Sequence, residues 1–545
     1  MKYASKSLDH LGIVSGLCKE IGLVETIDSV IGVDEQQIVT TGESVMSMVI
    51  NALGFVSKPL YMFPDFMEKK PVKVLFRDGL NAKDFNDDTL GRALDRLYEN
   101  DPTKIFSMVS SKALSALGIK RDFFHLDTST INVHGEYAYT MEDMIPILIT
   151  YGKSKAHRDD LKQFIISLIT VSEFDLPVWI KALSGNTSDK THFREVIGEY
   201  SKMLTMGSDE KAHFIMDSAM YTDKNIRAMS KDIYWLSRVP ESIKIAKELL
   251  ISTDLHDMLE SNLEGYHIKS FSKTYADVNQ KWVVVFSEKS FDKEIKTFEK
   301  KVIKESKKIR KEIWHLSNRE FKCKEDALKS AQYMEKKWKY YNLDDYEYIE
   351  KKKNVKGKRG RPSGDTRDIK IIYKIKTSYK PDEKAQENER KCKGKFIVAT
   401  NDLKLPKEDT LKEYKGQQSV ERGFRFIKDP LFFASSTFLK SPRRIVSLVM
   451  IMGLSLLIYS LAQRKLRKAL ESMDETIPNQ VKKPTKKPTM RYIFQIFEGL
   501  EYLIIKDGKQ ESYQILNMKP IHKQILNLMG SHYENIYLLK RGCGM

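Results

Sequence analysis

The sequence predicts an α/β protein: a mixed sheet with flanking helices, interrupted by an α+β insertion and preceded by a helical amino-terminal domain. Three observations carry this. Over residues 1 to about 120, apolar residues recur at helical spacing, as Val45, Met48, Val49 and Leu53 do in GESVMSMVINALGF. From 122 onward the pattern changes to alternating aromatic and β-branched runs, three in succession and then separated by helical stretches. Three strands followed by helix, strand, helix, strand describe a mixed sheet. A lysine-rich helical run from about 289 to 340 then breaks that order before strand patterns resume.

Taken in order, the first domain, 1–120, includes DDTLGRALDRLYEN, where Asp87 or Asp88 can cap a helix and Leu90, Leu94 and Leu97 share one face. Its helices are either a DNA-binding module or a packed bundle. The next segment, 121–240, holds strands at 122–137 (DFFHLDTSTINVHGEY), 163–173, 177–186, 212–220 and 233–240. The insertion, 241–400, opens with a helical piece and the strand QKWVVVFSE. It continues through the lysine-rich helical run and the basic loop KKKNVKGKRGRPSGD (351–365) to strands at 369–379 and 394–402. The sheet domain resumes over 401–475 with a helix spanning 414–428 and an apolar helix behind it. The final segment, 476–545, begins with an extended linker, VKKPTKKPTMR, and ends in a small mixed element.

A chain of 545 residues exceeds one simple core. Its 92 lysines and arginines against 74 acids give a net charge of +18, which favours a polyanionic partner. Cys18, Cys323, Cys392 and Cys543 lie far apart and form no CxxC pair. That argues against a disulfide scaffold and a cysteine zinc site, and fits a reducing cytosol. The opening MKYASKSLDHLGIV lacks a long apolar core and predicts no signal peptide. IVSLVMIMGLSLLIYSLA, 445–462, is long and apolar enough to span a membrane. Its serines and glycine, and the polar helix before it, favour a buried core helix instead.

The chemistry-bearing residues are acids. Asp127 sits in HLDTST and Asp217 in FIMDSAM, each inside a strand pattern. Either alone reads as a strand-end residue capping a turn. Two acids on adjacent strands repel and call for a cation between them. Their hard oxygens suit Mg²⁺ or Mn²⁺. Glu421, the lone acid in YKGQQSVERGFRFIK, offers a third ligand from a helix. Two ions roughly 3.5–4 Å apart activate an attacking oxygen and stabilise a leaving one in phosphoryl transfer. Arg422, Arg425 and Lys428 would then bind the phosphodiester. Tyr414 and Lys428 each lie seven residues from Glu421, on its face of a continuous helix.

These residues resemble prokaryotic insertion-sequence transposases of the DDE type, in the large IS-four group, with an RNase H-like catalytic domain. That group carries a tyrosine, arginine, glutamate, lysine signature spaced two, three and six residues apart. Tyr414, Gln417, Glu421 and Lys428 match the spacing, with glutamine at the arginine position. FNDDTLGRALDRLYE, HLDTST with HGEY, SGNTSDKTHF, FIMDSAMYTDKNI and FLKSPRRIVSLVMIM resemble further ordered blocks of one branch, so the likeness covers most of the chain. It implies that Asp127, Asp217 and Glu421 hold two divalent ions. Water then cleaves each transposon end, and the freed 3′ hydroxyl attacks target DNA. The implied partners are terminal inverted repeats and target DNA. The implied form is a cytoplasmic homodimer, with no membrane and no small-molecule substrate. A decayed DNA-binding copy and a metal nuclease without strand transfer are the alternatives.

Further candidates lie outside the triad. KRGRP places Arg359 and Arg361 around a glycine, as in an AT-hook core, and is equally a solvated loop. The resemblance implies that a tryptophan of the β-rich insertion can hold a flipped base, and Trp282 is the candidate by position. Core packing is the favoured reading for Trp282, as for Trp314 and Trp338. His125, His134 and His157 match no common metal spacing. Lys153, Lys155, Arg158 and Lys162 either touch DNA or sit in a salt-bridged loop with Asp159 and Asp160.

Overall fold

The alternating strands assemble, in the computed structural model, into two compact units: Met1–Leu236 with Glu413–Met545, and Ser237–Lys412. The structure describes residues 2–55, 58–119, 122–137, 145–153, 158–172, 175–187, 195–200, 212–216, 218–354, 369–416, 418–429, 440–507 and 510–539.

In the first unit, strands lie side by side in the order Leu176–Ser184, Lys162–Val171, Phe123–Val133, His213–Met216 and Tyr234–Arg238. The first three pair antiparallel. Phe123–Val133 pairs parallel with His213–Met216. By chain order this is third, second, first, fourth, fifth, the mixed RNase H-like arrangement. Lys162–Val171, KQFIISLITV, is buried from Gln163 onward because both faces of the sheet are covered.

The apolar run becomes a helix of 31 residues, Pro442–Ser472, packed against the Leu176–Ser184 strand. It is long and apolar enough to cross a membrane, yet 83% of its most apolar window is buried in protein. Two of its buried serines are satisfied within the core. Ser447 donates to the Leu94 carbonyl at 2.7 Å and Ser455 to the Ile451 carbonyl at 2.9 Å. Gly453 permits the close approach: a Cβ there would lie 3.0 Å from both Ile180 and Phe106.

The amino-terminal helices include Leu11–Glu20, Leu23–Ile31, Thr41–Leu53, Asp87–Glu99 and Pro102–Ala116. Asn86, rather than Asp87 or Asp88, caps the fourth of these by accepting the Thr89 N–H at 2.9 Å. The chain does not start helical. Lys2–Ser7 is a strand paired with Glu501–Asp507, which in turn pairs with Gln510–Leu516. The tail also closes on the first helix, where Gly12 and Gly16 make room for the rings of Tyr537 and Tyr533. The Tyr537 hydroxyl donates to the Asp9 carbonyl at 2.6 Å.

In the second unit, strands run in the order Lys395–Thr400, Val278–Ser287, Tyr266–Tyr275 and Leu259–Glu260. The Tyr266–Tyr275 strand is one that the apolar pattern does not predict. It turns into its neighbour through Ala276 and Asp277, both at positive φ (52° and 58°), as a tight hairpin requires. The lysine-rich run divides into helices Glu288–Asn318 and Lys324–Glu335, followed by a hairpin of Tyr341–Asn354 and Ile369–Pro381. Residues 351–354, expected in the basic loop, continue the first strand of that hairpin.

Candidate active site

Asp127 is half-buried in the middle of the Phe123–Val133 strand, opposite Leu168 on the antiparallel side. Its neighbours Leu126 and Thr128 are buried. One carboxylate oxygen accepts the Thr128 N–H at 2.7 Å. On the parallel side the register pairs Phe123 with His213 and continues to His125 with Ile215. The described strand ends at Met216, and Asp217 lies outside the described residues.

Glu421 stands on a helix, Gln418–Ile427, that packs against the Asp127 strand and its neighbour Lys162–Val171. The helix is cleanly two-faced. Val420, Gly423, Phe424 and Ile427 are buried, while Glu421, Arg425 and Lys428 form an exposed stripe at i, i+4 and i+7. Gly423 sets the depth of packing, since a Cβ would lie 3.1 Å from Leu168 and 3.2 Å from Leu456 of the buried helix. The far end is tied down as well: Phe426 packs on Tyr459 with ring centroids 4.8 Å apart, and Asp429 accepts from Arg491 at 3.1 Å.

The stretch 414–428 is not one continuous helix. Tyr414 belongs to a separate helix, Lys407–Lys415, which ends before Gly416. The seven-residue phase between Tyr414 and Glu421 therefore no longer places them on one face. Gly416 lies over the ring of His125, where a Cβ would come within 3.3 Å of Nε2. Burial pushes the His125 imidazole down to about 4, so it stands neutral, with Nε2 2.8 Å from the Ser172 hydroxyl. His125 is thus a packing group beneath the approach to the Glu421 helix, a role its spacing in the sequence did not show. Gln417 lies outside the described residues.

Arg422 is held by a partner that sequence reasoning missed. Its guanidinium forks onto Asp175, with Nε and a terminal nitrogen 2.6 and 2.8 Å from the two carboxylate oxygens. The pair raises the Arg422 value above the ordinary arginine range. Asp175 sits in the turn before Leu176–Ser184 at φ 61°. Arg425 and Lys428, both exposed, carry the charge on the Glu421 stripe.

Trp282 is fully buried in the second unit. It lies opposite Ala399 and Phe271 on the flanking strands and donates its indole N–H to Gln280 at 2.8 Å. It is a core residue, and an exposed stacking platform for a base is corrected by that burial. Arg359 and Arg361 lie outside the described residues, as do Lys155 and His157. Arg158 pairs with Asp160 at 2.7 Å on the surface. Among the described residues no cluster of three histidine, cysteine or acidic side chains could hold a metal.

A family model described as "Transposase DDE domain" matches residues 119–459, and one described as a domain of unknown function, DUF4277, matches residues 3–111. No curated protein matches. A solved structure titled as a piggyBac transposase synaptic complex with hairpin DNA is 10% identical. The alignment covers 97% of this chain and 88% of that one, with a TM-score of 0.36.

Proposed function

The chain belongs to the transposase DDE domain family, and from that premise we propose that it cuts DNA at the ends of its own element and joins the freed 3′ hydroxyl to target DNA. The observation that carries this is the packing of the Glu421 helix on the Asp127 strand, inside the span the family matches. A second feature supports Asp217 as the acid beside Asp127. Paired residues of the Phe123–Val133 and His213–Met216 strands differ by ninety in number, as Phe123 and His213 do. Asp127 and Asp217 differ by the same ninety.

The donor set suits a divalent cation. Asp127 offers a hard oxygen from a half-buried position, where negative charge is costly unless it is compensated. Glu421 offers another from the helix beside it. Asp127, Asp217 and Glu421 would hold Mg²⁺ or Mn²⁺, two ions that polarise the scissile phosphodiester and stabilise the departing oxygen. The chain's own groups do the rest. The buried face of the Glu421 helix fixes that acid against the sheet. Arg425 and Lys428 bind the phosphate flanking the cut. Arg422, clamped by Asp175, orients the helix. The same reading makes the protein an IS-four-group transposase of the prokaryotic cytoplasm, at work on the nucleoid. It acts as a homodimer on paired inverted repeats, with Tyr414, Arg359 and Arg361 as further DNA contacts.

Incubation with DNA bearing the element's terminal repeats, a target plasmid and Mg²⁺ tests it. Joined products are expected. Cleavage without joining would make it a nuclease, and binding alone would make it a decayed copy in which Gln417 replaces the signature arginine.

A further inference from the structure

A cavity of about 560 Å³ opens in the amino-terminal part of the first unit, inside the residues matched by the family of unknown function. It lies apart from the acids in sequence and draws on two helices. One is Thr41–Leu53, which presents its first turn through Thr41 and Ser44; the other is Asp87–Glu99, which presents Arg92 and Arg96. Thr89, Arg92 and Arg96 recur at i, i+3 and i+7, so one face of that helix lines the wall. Lys83 adds a third cation.

Three features mark this as a built site for an anion. Lys83, Arg92 and Arg96 have no carboxylate partner among the described residues. By contrast, Arg444, beside the same helix, is neutralised by Asp95 at 2.7 Å. The two acids at the rim are turned to backbone amides: Asp84 accepts the Asn81 N–H at 2.8 Å and Asp34 the Gln36 N–H at 3.0 Å. Finally, Thr41 and Ser44, each 1% exposed, are among the residues that line the cavity, and their buried hydroxyls have no hydrogen-bond partner among the described residues. A buried hydroxyl left unpaired is costly, and such groups in folded proteins signal a missing partner. They stand in the first turn of a 13-residue helix whose amides are already used, Gly42 N–H by Asp28 at 2.7 Å and Glu43 N–H by Thr40 at 3.1 Å, so the hydroxyls and not the helix terminus are the groups left without a partner there.

We propose that this cavity is a phosphate-binding site that takes a backbone phosphate of the DNA substrate away from the reacting acids. The chemistry is that of a phosphate monoanion or diester: guanidinium forks on one wall and hydroxyl donors on the other. Among the described residues no aromatic side chain on which a base would stack lines the cavity, so the grip is on the backbone and blind to sequence. The inference rests on the DNA-transposase reading for its ligand, but not for its chemistry.

The test measures binding of a terminal-repeat duplex and an unrelated duplex by the full chain at several salt concentrations. Arg92→Ala with Arg96→Ala is expected to weaken both duplexes roughly tenfold and alike, and to lower the salt slope by about one to two. Arg92→Lys with Arg96→Lys should restore most of the slope. Thermal melts of each variant without ligand check that the fold is kept; Arg92 is exposed, so its loss removes no core contact. An unchanged affinity and slope in the alanine variant overturns the proposal. If the wild type binds no DNA, the transposase reading fails separately, and inorganic phosphate decides the site. A rise in melting temperature for wild type but not for the alanine variant supports a free phosphate ligand. No rise in either overturns the site altogether.

Discussion

Two helices of 31 residues, one in each compact unit, are built on opposite plans. Pro442–Ser472 is buried continuously from Val449 to Ile458, and its serines Ser447 and Ser455 are used in hydrogen bonds to backbone carbonyls. Glu288–Asn318 buries only Phe298, Ile309 and Leu316, and exposes Lys300, Lys304, Lys307 and Lys311 along one stripe. The first is ground for other elements to stand on: Leu456 lies under Gly423, at the middle of the Glu421 helix. The second is a solvated, cationic arm whose small core is completed by Phe321, Ala327, Ala331 and Ile375. Length and composition alone would assign the first to a membrane; its neighbours assign it to the core. Chemistry that needs positions fixed to a fraction of an ångström belongs with the first plan, and charge that only needs to be present belongs with the second.

The largest expected effect separates these plans. Asp127→Asn keeps the side-chain shape and the contact with the Thr128 N–H, so the fold should persist. Mg²⁺-dependent cleavage should fall by at least about a thousandfold. Lys304→Ala with Lys307→Ala in the second unit should alter only the salt dependence of DNA binding. If the lysine pair abolished cleavage at saturating DNA, the division of labour would be wrong.

Next in size is a pH effect confined to the first unit. His10 is buried against Phe494 at 4.3 Å and Phe55 at 4.8 Å, with Nε2 2.8 Å from the Leu53 carbonyl. Burial pushes its imidazole from the ordinary 6.5 down to about 4. Asp9 pulls the other way and Lys70, paired with Asp9 at 3.2 Å, adds to the depression. The folded state holds the neutral ring, so as pH falls the unfolded chain takes up the proton first. Stability is therefore full above pH 6.5 and lost between there and about 4, by about 3 kcal/mol from this group. Urea melts at pH 7 and 5 measure it; His125, also lowered to about 4 by burial, acts in the same sense, so His10→Gln should reduce that slope by about half and leave the rest.

What could be read beforehand follows the same contrast. KQFIISLITV was legible as a strand because both faces are buried and every residue reports it. YNLDDYEYIEKKKN was not, because an exposed two-stranded hairpin imposes no apolar alternation. KYASKS was not, because its partner lies at 501–507, almost the whole chain away. In the candidate site, the charged stripe of Glu421, Arg425 and Lys428 was readable from helical spacing. The partner of Arg422 was not, since Asp175 comes from a turn distant in sequence. The helix break at Gly416 had a local signal, a glycine after a short polar helix, and the match to a spaced signature hid it.

A smaller effect tests the packing itself. Gly453→Val should overpack the buried helix against Ile180 and Phe106 and cost about 1–3 kcal/mol in a denaturant melt. Ile303→Ala, on the exposed side of the other long helix, should stay within about 0.5 kcal/mol. Equal costs would mean that the two helices share one plan after all.

The smallest effect lies within the Glu421 helix, where two neighbouring arginines are put to different uses. Arg422 and Asp175 are both partly exposed, so their pair contributes about 1 kcal/mol at most to stability, less in high salt. Its use is geometric. A bidentate fork between the middle of the helix and the turn before Leu176 limits rotation of the helix that carries Glu421. Arg422→Ala should therefore leave the melting temperature nearly unchanged and reduce the rate of cleavage at saturating DNA. Asp175→Ala should do the same, and the double variant should be no worse than either single one. Arg425→Ala should instead weaken DNA binding and lower the salt slope by about one, with the cleavage rate recovered at high DNA concentration. A salt slope that fell with Arg422 rather than Arg425 would show that the fork opens on DNA, and that the clamp is itself a phosphate contact.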